Sequence, residues 1–259
     1  MKSASPGFTL VELLVVVAII ATMAAISYPV YSWCLTQARA NASGAYLRQI
    51  VTANLSYAGD NNGCFCPAQD ESNLTRWHGA RPSVGAPFDT SKGYLGPYLG
   101  TGGIVQRDPL LRSYNVITGD GSWEDGSGGY GYNEVYVGGT PQDNYHGIST
   151  LAVPHPASTV MFATTAFAMS GNQIQEYPFC EPPQWVDPNN NLAGSLQPSV
   201  HFRANGKALV GWCDGHVTAE TQNSTTGPNY YGGNNQQSKI GWFGPTENNG
   251  YWNPNYNGP

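Results

Sequence analysis

The chain has 259 residues, of which only 11% are charged, and a formal net charge of −6 at pH 7. Soluble domains usually carry about 25% charged residues; here Gly, Pro, Tyr and Trp are abundant instead, which suits a loop-rich, β-biased domain with a polar but uncharged surface. No Lys/Arg cluster occurs, which argues against nucleic acid as a partner because phosphate binding needs dense cationic contacts.

From Phe8 to Val30 the chain reads FTLVELLVVVAIIATMAAISYPV, with Glu12 as its one ionisable side chain. As a helix this run crosses a hydrocarbon core of ~30 Å. It exceeds the roughly 7–15 apolar residues of a signal-peptide core, and no clean small-x-small cleavage site closes it at a polar boundary. A plain anchor leaves Glu12 unexplained, since a carboxylate in a membrane span costs about 3 kcal/mol or more and calls for a partner.

Pro6-Gly7-Phe8-Thr9-Leu10-Val11-Glu12-Leu13-Leu14 resembles the processing site of type IV prepilins and type II secretion pseudopilins. The resemblance implies a leader (residues 1–7) removed by a membrane prepilin peptidase after Gly7, N-methylation of the new terminus Phe8, and Glu12 as the assembly carboxylate. Pro29 stands at the twenty-second mature position, where many type IV pilins carry a helix-kinking proline. It further implies single-pass insertion in the inner membrane with the following domain periplasmic or extracellular, and then a filament of identical or related subunits. Lys2 in the leader against Arg39 and Arg48 beyond the span does not set the orientation; a cytoplasmic leader follows from the resemblance.

The membrane and assembly helix is assigned to residues 8–31. Beyond it Leu35, Ala38, Ala42, Tyr46, Ile50, Ala53 and Tyr57 recur at steps of three and four, one face of an amphipathic continuation over 32–58. Gly59-Asp60-Asn61-Asn62-Gly63 supplies the stop. A helix from Phe8 to Ala58 would be roughly 75 Å long.

From residue 60 to 259 the spacing predicts short strands: Tyr130–Val137, Thr159–Thr164 and Lys207–Cys213. Asp214-Gly215 before HVTAE predicts a two-residue hairpin with both turn residues at positive φ. The stretch from Asn205 to Val217 resembles a His-x9-Asp-Gly signature of a prepilin-like subgroup, but Ala204 stands where its His would be and His201 lies three residues too early. Tyr57–Pro67 and Gly129–Asn133 resemble the same subgroup. Residues 223–259, rich in Gly, Asn, Pro and Tyr, read as a tail or a loop layer over the sheet. Tyr230, Tyr231, Trp242, Phe243, Tyr251, Trp252 and Tyr256 favour the layer. The expected fold class is α+β: a long N-terminal helix packed on a loop-rich antiparallel sheet.

Four of the five cysteines, Cys64, Cys66, Cys180 and Cys213, lie in this domain and could form two bridges if it is exported, in any of three pairings. A bridge from Cys64 or Cys66 to Cys180 or Cys213 would close a loop of roughly 100 residues or more, worth ~4–5 kcal/mol. Asp120, Glu124 and Asp125 cluster oxygens in a Gly-rich loop, the chemistry Ca²⁺ uses, without EF-hand spacing. His201, Cys213, Asp214 and His216 lack a second Cys or His at zinc spacing. No nucleophile elbow, phosphate-binding glycine loop or His-Glu-x-x-His helix occurs, so neither an enzyme nor a resident cofactor is expected beyond that calcium site. The expected function is a structural filament subunit; the alternative is a membrane-tethered, exported carbohydrate-binding module using its aromatic side chains.

Overall fold

The computed structural model describes residues 7–100, 102–103, 105–119, 122, 124–187, 189 and 191–258. The α+β class expected from the sequence is what it shows: one long helix, then a β-rich domain with antiparallel sheets. The helix, α1, runs Leu10–Asp60 with Pro29 inside it. It ends where Asn62 and Gly63 both take positive φ, and the Gly63 N–H reaches back to the Ala58 carbonyl at 2.8 Å, a Schellman-type stop. Gly59 is still helical, so the stop acts a few residues later than its first glycine.

The chain divides into two compact units, one ending at Ala38 and the other beginning at Arg39. In the first, every described side chain from Phe8 to Leu35 is exposed, among them Phe8 (78%) and Leu10 (80%). In the second, the helix buries Ala40, Ser43, Leu47, Ile50, Val51, Ala53, Asn54 and Ala58. The expected stripe shares Ile50 and Ala53 with this face, but Ala42, Tyr46 and Tyr57 lie at its edge. Two polar residues account for the rotation. Ser43 lies within 3.2 Å of the Tyr130 hydroxyl, and the Asn54 amide donates to the Tyr132 hydroxyl at 3.0 Å. Being satisfied, both can be buried without an orphaned polar group.

Six strands form the main sheet: β1 (Tyr130–Tyr132), β2 (Val160–Thr164), β3 (Val200–His201), β4 (Lys207–Trp212), β5 (Val217–Ser224) and β6 (Ile240–Phe243). Their order is β3-β6-β5-β4-β2-β1 and all pairs are antiparallel. Alternation along β4 separates two cores. Leu209 joins the helix-side core with Leu47, Ile50, Val51, Phe162 and Tyr132. Ala208, Val210 and Trp212 join the other, with Phe202, Trp242, Phe243 and Trp252. Gly211 lets the helix settle on the sheet: a β-carbon there would fall 2.4 Å from Val51 Cγ2.

Three local expectations change. The predicted strand Tyr130–Val137 stops at Tyr132, because Asn133 caps a helical turn, Glu134–Gly138, while its amide donates to the Val160 and Trp252 carbonyls at 2.8 and 2.9 Å. The β4–β5 hairpin forms, but only Gly215 has positive φ (101°). Gly215 N–H donates to the Trp212 carbonyl and Trp212 N–H to that of His216, both at 3.0 Å, so three residues make the loop and glycine takes the bulge position. Finally, residues 223–258 are an aromatic layer and more: Ile240–Phe243 is a strand of the main sheet, and Trp252 is fully buried.

Candidate functional site

The N-terminal segment holds the expected processing and assembly residues. Gly7 and Phe8 precede the helix, exposed, and among the described residues nothing lies within 4 Å of where a Gly7 β-carbon would stand. Thr9 is the residue before the first helical turn. Its backbone N–H and hydroxyl donate to Glu12 Oε2 at 2.9 and 2.7 Å, and Glu12 N–H donates back to Thr9 Oγ1 at 3.3 Å. This is a reciprocal capping box. Thr9 is the capping residue sequence reasoning missed; the spacing Thr-x-x-Glu ahead of an apolar run was its signal.

Further along, the hydroxyls of Thr22 and Ser27 donate to the Ile19 and Met23 carbonyls at 2.8 and 2.7 Å. Each polar group is satisfied within its own helix, as an apolar surrounding requires. Pro29 has no N–H for the Ala25 carbonyl and nevertheless lies within the assigned helix. This helix is long and apolar enough to cross a membrane. Its exposed surface from Phe8 to Val30 is an apolar face that water solvates poorly.

The other expected sites are not assembled among the described residues. All five cysteines are free thiols, so the expected bridges among Cys64, Cys66, Cys180 and Cys213 are absent. Cys66 and Cys213 lie in the helix-side core and Cys180 in the core on the other face of the sheet, under the Trp252 indole that donates to its carbonyl at 2.9 Å. Burial pushes the thiols of Cys66, Cys180 and Cys213 far up, which keeps them protonated. Of the calcium candidates, Asp120 lies outside the described residues. Glu124 is turned into an ion pair with Arg76, and Asp125 accepts the Gly119 N–H at 3.1 Å. Among the described residues no group of three or more His, Cys, Asp or Glu side chains is placed to hold a metal ion.

His201 is fully buried, edge-on to Tyr114 and 3.0 Å from Arg203 Nη1, whereas His216 sits on the hairpin 2.5 Å from Asp214. The zinc set therefore does not converge. Arg203, unremarked in the sequence, is the hub instead: it pairs with buried Asp108 at 2.6 Å and donates to the Thr165 and Gly129 carbonyls. Of the aromatic residues expected to form the C-terminal layer, Trp242, Phe243 and Trp252 are core, while Tyr230 is exposed.

The chain matches the family model of the prokaryotic N-terminal methylation motif over residues 2–28. It thus carries the prepilin-type signal, with Gly7, Phe8 and Glu12 inside the matched stretch. The match ends before the C-terminal hairpin and does not include its likeness to the His-x9-Asp-Gly subgroup. Comparison with curated proteins and with solved structures gives no match.

Proposed function

We propose that this chain is a structural subunit, a pilin or pseudopilin, of a membrane-anchored filament of the type IV pilus or type II secretion kind, with no catalytic role and no resident cofactor. The observation that carries the reading is the methylation motif in register with an apolar stretch, Phe8 to Val30, exposed throughout and bearing a single carboxylate at Glu12. Before assembly that helix is covered by lipid, with the domain on the periplasmic or extracellular side; afterwards it is covered by the same helix of neighbouring subunits. Prepilin peptidase cuts between Gly7 and Phe8 and the new amine is methylated, giving a positive charge about one helical turn from Glu12. The amine of one subunit and the Glu12 carboxylate of the next neutralise each other where neither is stable alone.

Mass spectrometry of the protein from membranes that hold the peptidase tests the reading. The expected mature chain begins at N-methyl-Phe8; a mature pool that keeps Met1 would refute it.

A further inference from the structure

Glu134 and Glu181 are two carboxyl groups that the filament reading does not use. Tyr132 and Phe179 form a parallel β-bridge, with the Cys180 N–H on the Tyr132 carbonyl at 2.7 Å. Glu134 and Glu181 each stand two residues past that bridge, so the backbone brings them to one place. Both are buried (7% exposed), and neither makes an ion pair among the described residues. Tyr177 donates its hydroxyl to Glu181 Oε1 at 2.6 Å, while Glu181 Oε2 has no hydrogen-bond partner. The nearby guanidinium, Arg76, is committed to Glu124. Two adjacent buried carboxylates without a counter-cation cannot both stay ionised.

We propose that Glu134 and Glu181 are a proton-held latch that fastens the segment 176–184, and through it the C-terminal aromatic layer, onto the β1 end of the sheet. The segment is the anchor of that layer: Trp242 Nε1 donates to the Glu181 carbonyl at 3.0 Å, Trp252 Nε1 to that of Cys180 at 2.9 Å, and Asn249 bonds the Gln184 backbone in both directions. The charged and titratable groups facing the pair are Arg76, Glu124, Tyr177, Tyr231 and Cys180. Arg76 favours ionisation of Glu134, offset by Glu124, and the Tyr177 hydroxyl favours ionisation of Glu181, but burial outweighs both. Burial, with Glu181 as neighbour, raises Glu134 to about 8, and burial raises Glu181 to about 7. Protons therefore bind the closed latch more tightly than the open one. Closure is favoured below the ordinary carboxylate range and weakens as pH rises through the values of the pair. A domain facing the outside thus carries a face that loosens in mildly alkaline surroundings.

Amide hydrogen exchange of the full chain in detergent micelles tests this, with rates corrected for the intrinsic effect of pH. From pH 6 to pH 8 the opening of residues 176–184 should rise roughly tenfold per pH unit for each proton released. In Glu134→Gln, which keeps a neutral hydrogen-bonding group, that rise should fall below about threefold per unit; Glu181→Gln is the second variant should the first not fold. A packing role alone would leave the pH dependence of the variants unchanged. No excess rise in the wild type, or an equal rise in the folded variant, would overturn the latch.

Discussion

Thr9 and Glu12 close a capping box at the first turn of the long helix, each holding the other's backbone N–H. The carboxylate expected to meet a neighbouring amine is thus already engaged by its own helix, and lies where a helix N-terminus favours negative charge. In the proposed filament the neighbouring amine would add a counter-charge to a carboxylate that Thr9 already hydrogen-bonds. Thr9→Val removes the hydroxyl and keeps the shape. The amides of Leu10 to Leu13 should exchange several-fold faster in micelles, with insertion unchanged; unchanged exchange would show that the cap does not hold the turn.

The Arg203–Asp108 pair, both side chains wholly buried, ties the 108–113 turn to the sheet, since Asp108 Oδ1 also accepts the Leu110 N–H at 2.8 Å. Asp108→Ala leaves a buried guanidinium unpaired and should cost ~3–5 kcal/mol. The check is a fall in the urea midpoint at unchanged slope, followed by tryptophan fluorescence.

Much of the molecule is legible in the sequence because its signals are local. Gly7, Phe8 and Glu12 stand in register with an apolar run, and Lys207–Trp212 followed by an Asp-Gly pair announces a hairpin. What the sequence hides depends on distant partners. Ser43 and Asn54 look like solvent-face residues until Tyr130 and Tyr132 arrive from much later in the chain. Arg203 meets Asp108 only through the fold, and Glu134 meets Glu181 only through the Tyr132–Phe179 bridge. Ile240–Phe243 is too short, among too many glycines and asparagines, to stand out as a strand before β3 and β5 flank it.

Gly211 sets how closely helix and sheet approach. Gly211→Ala places a methyl against Val51 and should cost ~1–3 kcal/mol by overpacking. Val51→Ala in the same chain opens space for that methyl, so the double variant should be more stable than the sum of the two single losses predicts. Additive losses would mean that the two residues do not share the contact.

His78 and His201 are buried imidazoles held well below their usual range, by burial first and then by Arg76 and Arg81 for His78, and by Arg203 and Lys239 for His201. Both are therefore neutral in the folded chain, while the unfolded chain takes up their protons below about pH 6.5. Their contribution to stability is present above that pH and is lost as pH falls beneath it. His201→Asn should make the decline in stability between pH 6.5 and 5 shallower, measured by urea unfolding at each pH. An unchanged slope would mean that His201 does not titrate on unfolding.

Glu12 carries the central claim, and assembly itself measures it most directly. Wild-type and Glu12→Leu chains are expressed in cells that hold the peptidase and assembly machinery but lack the native copy, and the sheared filament fraction is compared with the membrane fraction. Wild type should appear in filaments. Glu12→Leu should insert and be cut after Gly7, since its helix is still more apolar, yet remain dispersed in the membrane. Glu12→Leu subunits that polymerise as well as wild type would contradict the account.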